Sequence, residues 1–182
     1  MSYDLLEHRH RFAVWAAARA AQRGFTGGKT KDLRDALEAT DIREVLSAPQ
    51  TLQVSPAQFD ALHRAWCSSI CERLRRRGIA NATYGRAAKL VGVYLKAIVI
   101  MGSDWDSPLG RNLHPPIDRI LLHGLAASSR VKSRHKAAWA AINWTQLGEA
   151  EYVQLIGQLR DALPQNAPFW TIEEYWEPSD SG

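Results

Sequence analysis

Residues 83–125 read TYGRAAKLVGVYLKAIVIMGSDWDSPLGRNLHPPIDRILLHGL, and this stretch decides the fold. Thr83 suits an N-cap, and after it Leu90, Val93, Tyr94 and Ala97 recur at helical spacing. The spacing predicts a mostly buried helix with Lys89 and Lys96 flanking its apolar stripe. After the loop GSDWDSPLGRNL, the motif HPPIDRILLHGL predicts a second helix, because paired prolines suit a first turn whose N–H groups lack partners. Asp118 then sits beside a helix N-terminus, where the positive end of the dipole favours its ionised form. A lysine on one buried helix facing a carboxylate at the mouth of the next has two readings. It is an ordinary ion pair, or it is a nucleophile activated by a base.

Outward from this centre, every long segment carries helical periodicity. Tyr3–Arg23 reads as a first helix with Leu5, Leu6, Phe12, Trp15 and Ala16 inward and the cluster HRHR (8–11) in solvent. The run GFTGGKT (24–30) has the flavour of a phosphate loop, but its spacing is one residue short and it follows a helix, so it reads as a helix end and a turn. Two short helices follow, at Lys31–Ala39 and Asp41–Ser47, and PQTLQVSPA (49–57) reads as a loop. Ser55 and Pro56 start a long helix running to about Arg77, with Phe59, Leu62, Trp66, Ile70 and Leu74 as its core stripe. His63, Cys67 and Cys71 line up beside that stripe, but one straight helix does not wrap a tetrahedral ion, so no metal and no other cofactor is expected. Beyond the second helix, SSRVKSRHK reads as a basic linker, Ala137–Asn143 as helix, and Thr145 as the cap of a last long helix. The tail aromatics Phe169, Trp170, Tyr175 and Trp176 read as packing on the core. No run alternates with period two. The expectation is an all-α, single-domain orthogonal helical bundle over residues 1–182, with a helix-hairpin-helix-like centre and a polar tail at 177–182.

Composition narrows the class. A chain of 182 residues with 46% hydrophobic content has the size of one domain with a real core. It holds neither a secretory signal nor an apolar run of membrane-spanning length, and its two cysteines are spaced like helix-face residues. A cytoplasmic monomer without membrane association is expected. The net charge is +4, yet residues 60–136 alone hold 14 Lys and Arg against 5 Asp and Glu. The basic stretch is the one that holds Lys89 and Asp118, which points to a nucleic-acid partner.

The order of a basic turn, a helix bearing Lys89, a loop, and Pro116-Ile117-Asp118 opening another helix resembles the helix-hairpin-helix DNA glycosylase superfamily, especially its 8-oxoguanine-removing branches. The resemblance covers roughly residues 77–125. It implies that Lys89 is the nucleophile attacking the sugar C1′ and that Asp118 assists it, with Lys96 as the alternative nucleophile. It implies a modified base flipped out of double-stranded DNA into an aromatic pocket, for which Trp15, Tyr84, Trp105 and His114 are the expected contacts. Burial beside Arg86 is the expected means of lowering the Lys89 pKa from its ordinary value of about 10.4. DNA contacts are expected from Arg73, Arg75, Arg76, Arg77, Arg86, Arg130, Lys132 and Arg134. Two other readings stand beside it. Arg130 and His135 form R-x4-H, which resembles the active-site motif of helical HEPN ribonucleases, and a nucleic-acid-binding module without chemistry needs Lys89 and Asp118 only as an ion pair.

Overall fold

A computed structural model describes residues 3–47 and 51–178. The chain is 66% helical, with no strand among the described residues, and the class is all-α. The helices are α1 (Leu5–Ala21), α2 (Thr30–Glu38), α3 (Ile42–Val45), α4 (Pro56–Arg76), α5 (Tyr84–Leu95), α6 (Pro108–Asn112), α7 (Arg119–Ala127), α8 (Lys136–Ala141) and α9 (Glu149–Asp161). A wide π-helical segment at Lys96–Asp104 continues α5, and short 3₁₀ segments lie at Trp144–Gln146 and Phe169–Tyr175. Pro49 and Gln50 of the expected loop, and residues 179–182 of the expected polar tail, lie outside the described residues. No described helix is long and apolar enough to cross a membrane.

Helix α5 is the centre. All of its residues except Val93 are buried, and α1 and α4 pack against it. Two of those buried residues are charged, so the helix needs polar partners where a purely apolar core helix would not. Arg86 finds them at the end of α1, where its guanidinium donates to the carbonyls of Ala21, Arg23 (2.9 Å) and Gly24 (3.4 Å). The Ala21 carbonyl is one that a helix C-terminus leaves unsatisfied, and those of Arg23 and Gly24 belong to the turn after it. Arg86 is only 1% exposed, which corrects its expected role as a DNA contact: it joins α1 to α5.

The inward face of α1 is also corrected. Leu5, Leu6, Phe12 and Trp15 are all more than half exposed, while Ala13, Val14, Ala17, Ala18 and Ala21 are buried. The buried set follows helical spacing by itself, and its small side chains let α1 approach α5 closely. Large residues do not fit in so narrow a gap, and they lie on the outer face. In α4 the expected stripe holds except at Leu62, which is only partly buried: Phe59, Trp66, Ile70 and Leu74 are buried, with His63, Cys67 and Cys71 buried beside them.

The route from α5 to α7 differs from the expected one at both prolines. The stretch read as loop contains α6, whose N-cap Ser107 accepts the Gly110 N–H at 3.0 Å and whose first turn holds Pro108. Pro115 and Pro116 lie before α7, in non-helical chain. A residue preceding proline is pushed out of the helical region, and two prolines in a row extend that effect back to His114. The helix starts only at Arg119, and Asp118 is its N-cap, with extended backbone (φ −149°, ψ 178°). This extended stretch lies against α5 at Gly92, where a Cβ would stand 3.1 Å from the Cα of Pro116. Near the C-terminus, Gly148, with its N–H on the Glu151 carboxylate at 2.8 Å, replaces Thr145 as the start of α9.

Candidate active site

Lys89 and Asp118 meet across the gap that Gly92 leaves open. The Lys89 Nζ donates to Asp118 Oδ2 at 2.8 Å and to the Pro116 carbonyl at 3.2 Å. Asp118 accepts two further hydrogen bonds, from the Leu121 backbone N–H at 2.9 Å and the Trp176 indole N–H at 2.9 Å. The lysine side chain is 8% exposed and the aspartate 15%, so the pair is largely removed from water without being sealed. Burial draws the Lys89 pKa below its ordinary value, although Asp118 opposes the shift. Burial raises Asp118, but the Lys89 charge and the three hydrogen bonds outweigh it and hold the carboxyl below the usual range. The result is a salt bridge whose ammonium gives up its proton more easily than a surface lysine does.

The pair faces a cleft of about 370 Å³, within the range of small-molecule sites. Phe12, Val93, Met101, Ile120, Trp144 and Trp176 supply apolar wall. A second ion pair joins the lining, in which Lys96 bonds the Glu173 carboxylate and lies 5.7 Å from the Trp176 ring centre. Burial raises the Glu173 pKa in spite of Lys96. Glu173 and Trp176 reach the cleft because Gly124 lets the 169–175 segment lie against α7: a Cβ on Gly124 would stand 2.0 Å from the Tyr175 carbonyl oxygen.

The aromatic residues expected at the pocket are elsewhere. Trp15 is half exposed on α1 and absent from the cleft lining, and Trp105 lies against Trp170 with ring centres 6.2 Å apart. Tyr84 is buried near His63 and Tyr152. His114 is buried too, with Nε2 2.8 Å from Asp60 Oδ1 and Nδ1 3.2 Å from the Tyr152 hydroxyl. Arg160 grips Asp60 with two hydrogen bonds of 2.7 and 2.8 Å, and the network reads as an internal polar brace. The cleft aromatics are instead Phe12, Trp144 and Trp176. Phe12 was legible as an aromatic on α1 but not as one pointing outward, and the EEYW sequence carried no sign that its tryptophan turns back to a carboxylate.

The expected DNA contacts are partly neutralised within the fold. Arg76 pairs with Glu72, and Arg77 with Asp32 and Asp35 at 2.9 and 3.1 Å. Arg75 donates to the Ala82 carbonyl at 3.2 Å. Arg130 turns to Glu174 and the Tyr175 ring, while His135 lies against Arg134 and Trp139, so the R-x4-H residues have separate partners. The side chains of Arg73 and Lys132 are exposed and make no hydrogen bond or ion pair among the described residues. His63, Cys67 and Cys71 form no metal-binding group, and no set of three or more His, Cys, Asp or Glu does so among the described residues.

No protein-family model, curated protein or solved structure matches the chain, so the site is read from its own geometry.

Proposed function

We propose that the chain is a DNA glycosylase that excises a modified base from double-stranded DNA, with Lys89 as nucleophile. One observation carries the reading: a lysine with a depressed pKa is held 2.8 Å from a carboxylate at a cleft with aromatic walls. In this reading the flipped nucleotide enters between Phe12, Trp144 and Trp176, and water is displaced from the pair. Lys89 loses its proton to the departing water, so Asp118 stays ionised, and the free amine attacks C1′. The new C–N bond forms as the glycosidic bond breaks, and the bonding pair leaves with the base, which takes up a proton. The substituted amine then loses a proton, and its lone pair opens the sugar ring to a Schiff base, with O4′ protonated. Ionised Asp118, hydrogen-bonded by the Trp176 indole and the Leu121 N–H, stabilises positive charge on the sugar as the glycosidic bond breaks.

Borohydride trapping on a panel of modified-base duplexes tests this. Hydride reduces the Schiff base to a stable amine, so wild-type protein becomes covalently attached to the DNA and Lys89→Gln does not. Trapping lost only in Lys96→Gln would assign the nucleophile to the other lysine. Absence of base release across the panel would defeat the glycosylase reading and leave a binding module.

A further inference from the structure

The cleft adjoins another depression in the surface. A second groove, about 480 Å³ in volume, shares Arg23, Arg119 and Trp144 with it and continues along His123, Asn143 and Thr145. Its lining contains no Asp or Glu. Both acids of the main cleft, Asp118 and Glu173, are taken by Lys89 and Lys96. The side chains of Arg23, Arg119 and His123 are exposed and make no hydrogen bond or ion pair among the described residues. Other arginines of the surface pair with acids, as Arg11, Arg43, Arg64, Arg76, Arg77 and Arg111 do, while Arg73, like Arg23 and Arg119, is unpaired among the described residues. Asn143 adds neutral donors, since its Oδ1 accepts from the Thr145 hydroxyl at 2.8 Å and its amide N–H groups have no partner among the described residues.

We propose that this groove is the seat of the DNA backbone, with Arg23 and Arg119 on the phosphates that flank the nucleotide in the cleft. The identity of that nucleotide rests on the glycosylase reading; the phosphate contact rests on the groove alone. Arginine forks suit phosphate oxygens, and a groove with cations and no acids attracts polyanions. Arg119 directly follows Asp118 and lines both the cleft and the groove, so it stands between the two sites. The strand, rather than a free nucleotide, is the occupant, because the groove adds lining at His123, Asn143 and Thr145 that the cleft does not have.

The test uses a fluorescent duplex with a central tetrahydrofuran abasic analogue, which needs no knowledge of the base. Anisotropy gives affinity at 50 and 200 mM salt. Each lost phosphate contact removes about 0.9 from the salt slope, which is about 3.5-fold over that fourfold range. Arg23→Ala/Arg119→Ala is therefore expected to lose about 12-fold less affinity than wild type as salt rises. Arg11→Ala/Arg64→Ala removes the same net charge elsewhere and is expected to keep the wild-type slope. A slope unchanged in Arg23→Ala/Arg119→Ala, or lowered equally in both double variants, overturns the groove. So does competition by a free deoxynucleoside monophosphate as strong as that by unlabelled duplex, since it replaces the strand with a small nucleotide. The two proposals fail separately. A slope that falls as expected in a protein that never releases a base removes the glycosylase and keeps the groove, while trapping by wild type with an unchanged slope does the reverse.

Discussion

Asp118→Asn is the substitution that most directly weighs the ion pair. Asparagine keeps an oxygen to accept the Leu121 N–H, so the N-cap survives. It removes the charge that offsets Lys89, whose ammonium is then left with the Pro116 carbonyl in a largely buried site. Breaking a buried pair from one side costs about 3–5 kcal/mol. A ceiling exists because Lys89 can shed its proton. Neutralising a lysine of ordinary pKa near 10.4 at pH 7 costs about 4.6 kcal/mol, from about 1.36 kcal/mol per pH unit. The expected loss at pH 7 is therefore about 3–4.6 kcal/mol. The sign of the pH dependence follows from the same lysine. A folded pKa depressed below the unfolded one means that the unfolded chain binds more protons, so stability rises with pH until the unfolded lysine titrates. Urea unfolding at pH 7 and pH 9 should show Asp118→Asn recovering up to about 2.7 kcal/mol relative to wild type. Lys89→Met/Asp118→Asn should show no such recovery. An Asp118→Asn protein with the wild-type midpoint at both pH values would mean that the lysine is solvated, and the argument for a tuned nucleophile would go with it.

Two further outcomes follow from other parts of the structure. Burial holds His63 and His114 below the ordinary histidine value, with Asp60 partly opposing the shift at each, so the unfolded chain takes up protons that the folded chain refuses as pH drops below about 6.5. Stability should be level above that point on their account and fall below it by up to about 2.7 kcal/mol per pH unit, and His63→Phe should roughly halve the fall in urea melts. Gly92→Val should cost about 1–3 kcal/mol and weaken any trapping by Lys89, because the added side chain pushes the Pro116 segment off α5. Unchanged thermal stability in Gly92→Val would show that the Lys89 to Asp118 distance does not depend on that contact.

The sequence by itself determined the helical class, because periodicity is local and each of α2, α4, α5 and α7 declares it within a few turns. It also picked out Lys89 and Asp118, through a lysine on an apolar helix and a carboxylate at a helix start. The caps at Ser55 and Thr83 were legible for the same reason: a cap is a bond between residues three apart. What lay beyond it was direction across the fold. The sequence of α1 offers two apolar stripes, a large one and an alanine one, and only the space left beside α5 selects the small one. That choice turned Phe12 outward to the cleft and Trp15 away from it. Arg86 looked like a surface cation until the carbonyls at the end of α1 came within reach. Trp176 and Glu173 belong to the site only because Gly124 admits the chain that carries them, 55 and more residues after Asp118 in sequence. Charge shows the same division: the count of basic residues is a property of the sequence, but pairing is a property of space. Arg77 meets Asp32 and Asp35 more than forty positions away, whereas Arg23 and Arg119 are brought to one groove with no acid to answer them.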